Sequence, residues 1–494
     1  MTILPFREWL PDQAAYRNAG VLRAVNLLPS PSGYAPMPKH RAVTSALTAR
    51  PRGAISVTDA AGNVYQYAGD ATKLYRNVAS TWTDSSGATY TTAANERWEF
   101  ARWKDKVLAV NYSDNPQQIT LGGTAFSQLT ADLKARHIAT VGNFVVLADT
   151  VDATDGAVAH RVRWCALGDE TSWTVDPATL ADYRDLRVGV NRRVFGGEYG
   201  VVWNSTGIWR MTFVGAPTVF QLDEVQPGLG MGLIAPGCAA RDGDVVYGLS
   251  QRGFVAITRG SGVDLVGANR IDRTVLNDLD ENHLHRCSMV ADPRSHRVLL
   301  AYPGSGNTDG RPNRILLYDR ALDRFTLIEF EGELLWQAGG LGYTLEGLDS
   351  VSGSLDSLGI SLDSPAWVGG TADVAAFDGS YMSGFFDDET AMTGIIEMGE
   401  MEFHEGHKAV WDAFTVVAPG ATVAARVGLR NTGARDPAWG DPLSPRPSGR
   451  FKPRRGARKA DYHRVELTFS GAWEHAIGLQ IESQDVIRGE RRRG

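Results

Sequence analysis

The chain has little of what enzymes and membrane proteins usually carry. Only three of its 494 residues are cysteine, Cys165, Cys238 and Cys287. They are odd in number and far apart, without metal-ligand spacing or a disulfide framework, which fits a reducing compartment. No apolar run is long enough to span a bilayer. The opening "MTILPFREWLPDQ" lacks a basic segment followed by an apolar one, so no leader is expected. Helical periodicity is weak apart from "DRTVLNDLDENHLH" at 272–285. There is no G-x-S-x-G, no Walker A and no Cys–His pairing. "GLGMGLIAPG" (228–237) resembles a dinucleotide loop but precedes no helical pattern. "EFHEGHK" sets His404 and His407 three apart around Glu405, not at the four-residue spacing of a zinc-protease helix, so these histidines read as surface or interface residues. No enzymatic activity, cofactor or metal is expected.

What the chain does have is glycine, 54 residues against 22 prolines, in a sequence 43% hydrophobic and 22% charged. Scattered glycine at that level implies many tight turns between short strands. The formal charge of −7 is uneven: residues 446–494 carry 12 Lys/Arg and 6 Asp/Glu, leaving 38 and 51 for the rest. An acidic body with a basic end suggests that the end meets a partner, or is simply a solvated tail.

Six polar turns are each followed by a run rich in β-branched and aromatic residues, around Gly62, Asp105, Gly142, Gly207, Gly253 and His296. Their intervals are 43, 37, 65, 46 and 43 residues. Four of the five approximate the roughly 40–50 residues of a four-stranded propeller blade. The fold expected is all-β: a β-propeller of six or seven blades over 45–396, with an insertion near 150–187. A β-sandwich or solenoid with coincidental spacing is the competing arrangement. Residues 1–44, with "LLPSPSGYAPMPKH", read as an extended N-terminal arm. Longer alternating runs in 397–487 suggest a small β-sandwich or platform domain holding a basic loop at 446–459, and 488–494 read as a basic tail. A seven-residue repeat places Asp349, Asp356 and Asp363 in register; calcium binding is conceivable there, turn capping the commoner use.

Two stretches invite functional readings. "RVRWCALGDETSWTVDP" (161–177) puts an acid on a loop beside a tryptophan, as a glycan-binding or glycan-cleaving propeller could. In "ALGDETSW", however, the acid follows the glycine, the reverse of the S/T-x-D-x-G-x-x-W turn of sialidases. No partner carboxylate can be assigned to Asp169 or Glu170, so the stretch reads as a blade corner. The loop "RPSGRFKPRRGARKAD" concentrates Arg446, Arg450, Lys452, Arg454, Arg455, Arg458 and Lys459, which suit an acidic neighbour protein or salt-sensitive, sequence-blind phosphate contact.

The segment "FREWLPDQAAYRNAGVLRAVNLLPSPSGYAPMP" resembles the start of podovirus tail proteins, the nozzle or packaged-DNA-stabilising components of short-tailed bacteriophages. A strand R-x-R-W followed by Leu-Gly-Asp and a tryptophan, here Arg161, Arg163, Trp164, Gly168, Asp169 and Trp173, is similar to a second element of such proteins. "SLDSLGISLDSPAWVGG" is similar to a third, and the resemblance runs loosely from residue 6 to 400. It implies a propeller with an added platform, assembled as a hexameric ring below the portal and adaptor. Such a ring extends the channel for double-stranded DNA, retains the genome and anchors fibres, spikes or needle in the virion tail, after synthesis in the bacterial cytoplasm. An acidic channel lining, through which DNA slides without sticking, would suit that role.

Overall fold

The polar turns of the repeat lie between antiparallel strands, as their glycines and short side chains favour. The computed structural model describes residues 2–186, 188–227, 230–339, 372–403, 407–432, 436–453 and 459–491. The aspartate repeat at 349, 356 and 363, together with His404, Glu405, Arg454, Arg455 and Arg458, lies outside them.

Seven four-stranded meanders form a ring among the described residues. Their innermost strands are Gly53–Thr58, Glu99–Trp103, Leu133–Val141, Asn191–Phe195, Ala239–Asp242, Ser288–Asp292 and Gly332–Gly339. The first packs against both the second and the last, which closes the ring. The fold is therefore a seven-bladed β-propeller. Blade 7 is completed from the other end of the chain: Gly332–Gly339, Ala372–Asp378 and Met382–Phe385 are joined on their outer edge by Arg41–Ala46. Its wall is aromatic, with Trp336 stacked on Phe377 at 5.8 Å and Trp82 of blade 1 at 5.7 Å from the same ring.

Four strands per blade bring the chain back to the same face before each new innermost strand. The disk thus has an entry face, where innermost strands begin, and an exit face, where they end. Gly62, Asp105, Gly142 and His296 mark turns between first and second strands, whereas Gly207 and Gly253 mark turns between second and third. The 65-residue interval therefore combines a change of marker with the insertion, which is the loop 165–181 between the third and fourth strands of blade 3. The helical candidate forms the helix Asp272–Asp278 and the 3₁₀ turn Glu281–Arg286, which link blade 5 to blade 6.

The second domain is a sandwich. One sheet runs Thr2–Pro5, Gly478–Arg491, His407–Val417, Arg450–Phe451, with Lys459–Ala460 also on His407–Val417. The other runs Val21–Val25, Gly394–Met398, Tyr462–Ser470, Thr422–Arg430, Ala438–Trp439. Alternation in Tyr462–Ser470 turns Val465, Leu467 and Phe469 inward. Phe414 stacks on Phe451 at 5.1 Å, and Phe6 meets Phe469 edge-on at 6.2 Å. The second sheet continues directly from blade 6, because Val25 pairs in parallel with Leu327 of that blade's outermost strand, giving nine strands in one sheet.

Residues 1–44 are extended but belong to both domains rather than projecting as an arm. Thr2–Pro5 edges one sandwich sheet, Val21–Val25 splices sandwich to blade 6, and Leu27–Ser30 pairs with Gly33–Pro36 despite the prolines. Asp12 accepts hydrogen bonds from the backbone N–H groups of Arg273 and Thr274, both at 2.8 Å, capping a helix whose own preceding residue, Ile271, cannot. Backbone donors and acceptors left open along strands draw such segments in. For the same reason the supposed tail begins later than 488: the strand Gly478–Arg491 stays paired as far as His407↔Arg491.

Candidate functional site

The corner at 161–177 sits on the exit face and joins blades 2, 3 and 4. Trp164 is fully buried, donates its indole N–H to Leu180 O at 2.9 Å and meets Phe220 of blade 4 at 5.0 Å. Trp173 is buried on the other side, against blade 2. Gly168 takes φ +75°, where a side chain would strain the turn. Asp169 accepts from the N–H and hydroxyl of Thr171, which hold its carboxyl below the ordinary range. Glu170 is buried and accepts from Trp103 Nε1 and Lys106 Nζ, each at 2.7 Å. Both carboxylates thus hold the turn and the junction of blades 2 and 3.

The two arginines of the motif are neutralised. Arg161 forks onto Asp185 at 2.8 and 3.0 Å, reaches Asp155 at 2.5 Å, and lies 3.9 Å over the Tyr183 ring. That fork keeps the Asp185 carboxyl below its usual range. Arg163 pairs with Asp152 at 3.0 Å and donates to Trp173 O at 2.7 Å.

The basic loop lies on the sandwich, where Arg450–Phe451 and Lys459–Ala460 both pair with His407–Val417 in the sheet that does not join blade 6. Arg446, Arg450, Lys452 and Lys459 are exposed. Gly449, at φ +76°, allows the Arg446–Arg450 turn, and Phe451 anchors it in the core. The structure therefore keeps these four cations away from the corner at 161–177.

Sequence reading missed a third place, the mouth of the propeller axis on the entry face. Arg52, Arg97, Arg193 and Arg286 each stand at or just before an innermost strand, in blades 1, 2, 4 and 6. Arg97 crosses from blade 2 and donates to Cys287 O of blade 6 at 3.3 Å, packing beside Gly237 of blade 5. A side chain at Gly237 would collide with both the guanidinium and that carbonyl. Behind it, Cys238 and Cys287, distant in sequence, meet; the hydrogen bond from one thiol to the other and burial hold the Cys287 thiol well above its usual pKa.

Carboxylates in the mouth are few. Glu99, buried, faces His137 Nδ1 at 3.1 Å and pairs with Arg193. Burial opposes its charge, yet Arg193 and His137 pull its pKa down to about 2. Glu333 takes both Arg286 and Arg311. By contrast, Arg50 donates to Ala94 O at 3.0 Å, Arg52 to Thr92 O at 2.8 Å and to Ala93 O, and Arg192 to the carbonyls of Leu233 and Ile234. Like Arg97, these three hold carbonyl dipoles rather than charges. Burial, then Arg286 and Arg52, push Arg50 down to about 10; burial, then Arg50, His283 and Arg286, push His285 down to about 4. No cluster of three or more metal-ligating side chains occurs among the described residues.

No protein-family profile matches the sequence, and no curated protein matches it. Solved structures give remote likenesses. YCF48, solved with a D1 peptide, is 13% identical with 59% of this chain and 86% of that chain covered, at a TM-score of 0.35. The Pan2 WD40 domain of Neurospora crassa is 6% identical (58% and 82% covered, TM-score 0.36), and BamB of Moraxella catarrhalis 11% (73% and 95%, TM-score 0.36). The propeller assignment stands on the strand order and ring closure described above.

Proposed function

We propose that this chain is a structural virion protein of a short phage tail, one subunit of a ring-shaped nozzle below the portal and adaptor. In this reading the ring, hexameric by resemblance, extends the channel for double-stranded DNA, retains the genome, and anchors fibres, spikes or needle. One observation carries the reading: the first segment bearing the resemblance, residues 6–38, is the segment that splices the propeller to the sandwich through Val21–Val25. A propeller fused to a platform by a shared sheet suits a part that must transmit load without hinging. The sandwich, with Arg446, Arg450, Lys452 and Lys459 on its surface, faces the adaptor, and the propeller hangs towards the tail tip. The acidic DNA channel belongs between subunits, since Arg97 crosses the propeller's own axis.

Immunogold microscopy of intact particles with antibody against this chain tests the proposal. Gold at the tip of a short tail is the expected result. Its absence, with a capsid antibody labelling normally, would overturn the nozzle reading and direct attention to glycan arrays.

A further inference from the structure

The arginines at the entry-face mouth come together from strands scattered through the chain. Trp98, adjoining Arg97, donates its backbone N–H to Arg52 O at 3.0 Å, which sets those two arginines side by side. Arg97 ends on the carbonyl of Cys287, the neighbour of Arg286. Arg193 reaches the same region through Glu99. The mouth thus gathers cations from blades 1, 2, 4 and 6, and Arg50 joins from the linker into blade 1.

These guanidinium groups are not fully used. The Nε–H groups of Arg52, Arg97, Arg193 and Arg286 are buried and have no hydrogen-bond acceptor, and the Arg286 side chain is only 9% exposed. A buried donor without an acceptor is unfavourable, and buried like charges without counter-ions are more so. Of the carboxylates facing the mouth, Glu99 already faces Arg193 and His137, and Glu333 is shared between Arg286 and Arg311. Five guanidinium groups, of Arg50, Arg52, Arg97, Arg193 and Arg286, thus gather with two carboxylates.

We propose that the entry-face mouth of the propeller axis binds a small tetrahedral oxyanion of the phosphate class, held among Arg50, Arg52, Arg97, Arg193 and Arg286. Planar forks brought in from several blades match an anion with acceptors in several directions and more than one negative charge better than they match a single carboxylate. The site is closed to a nucleic-acid duplex by Arg97 lying across the axis. Half-buried Arg50 and Arg52 leave the mouth open to solvent, so an ion or the terminal phosphate of a monoester can enter.

Calorimetric titration of the purified full chain with inorganic phosphate, at ionic strength fixed with sodium chloride, tests the site. Saturable binding with one ion per chain is expected, weakened at least about tenfold in the double variant Arg50→Gln/Arg52→Gln. Heat indistinguishable from dilution, or a double variant that binds as the parent does, would overturn the proposal. Should that variant not fold, phenylglyoxal labelling of the unmutated chain replaces it. Phosphate, but not chloride, should then protect Arg50 and Arg52 from modification, and equal labelling in both salts would sink the site. A parallel titration with phenyl phosphate separates the sources: tighter binding of the ester assigns a phosphomonoester, and weaker binding assigns the free ion.

Discussion

Two places in the propeller use the same side chain in opposite ways. Within blade 3, Arg161 and Arg163 have Asp152, Asp155 and Asp185 within salt-bridge distance. Around the mouth of the axis, Arg50, Arg52, Arg97 and Arg192 lean on backbone carbonyls. Arg161, shared among three carboxylates, is part of the scaffold, however prominent its motif in the sequence. An arginine parked on carbonyl oxygens keeps its charge for something else. The difference separates architecture from recognition more sharply than motif density does.

The largest effect should come from the exit corner. Trp164→Ala removes a fully buried indole and its bond to Leu180; urea unfolding should show a loss of about 3–5 kcal/mol. A near-neutral result would deny that corner its structural role. Glu99→Gln comes next, at about 3 kcal/mol near neutral pH, because Arg193 loses its buried counter-charge. The pH dependence has a definite sign. With its folded pKa lowered from 4.5 to about 2, Glu99 stabilises the protein above 4.5 and loses that contribution as pH falls towards 2. Thermal melts of the variant should lack that part of the acid limb.

The third test sets arginine against arginine. Arg161→Gln should cost about 2 kcal/mol, discounted for the partial exposure of Asp155 and Asp185. Arg50→Gln should change stability by less than about 1 kcal/mol and gain at low salt, where like-charge crowding is least screened. Equal losses at both positions would erase the distinction between the two sets of arginines. The smallest effect belongs to Asp169→Asn, where an amide oxygen can still accept from Thr171; denaturation should move by less than about 0.5 kcal/mol.

Much of the propeller was legible because turn residues recur with each blade, as at Gly62, Asp105 and Gly142. The blade count was not, because Gly207 and Gly253 mark a different turn and because blade 7 takes its outer strand from Arg41–Ala46. Proline content made residues 27–36 look like an arm, yet Pro29 and Pro36 pair with Tyr34 and Leu27 in a hairpin whose long-range anchor is Tyr34 on Ala476. That docking depends on contacts more than 400 residues away in sequence, which no local pattern carries. At 161–177 the residues pointed to packing, and the buried tryptophans follow that pattern. The entry-face arginines escaped notice because each is isolated in sequence. Only an alignment of blades by their innermost strands would have shown Arg52, Arg97 and Arg286 recurring just ahead of them, with Arg193 inside the strand of blade 4.

The borrowed outer strand of blade 7 also sets a timetable. Arg41–Ala46 is among the first segments made, yet its partner, Met382–Phe385, emerges after more than three hundred further residues. During synthesis the ring can only be an open arc with an unpaired edge, and such distant pairing makes folding slow. A chain interrupted before residue 382 cannot complete blade 7, and Arg41–Ala46 then stays an open edge for any other strand to pair with.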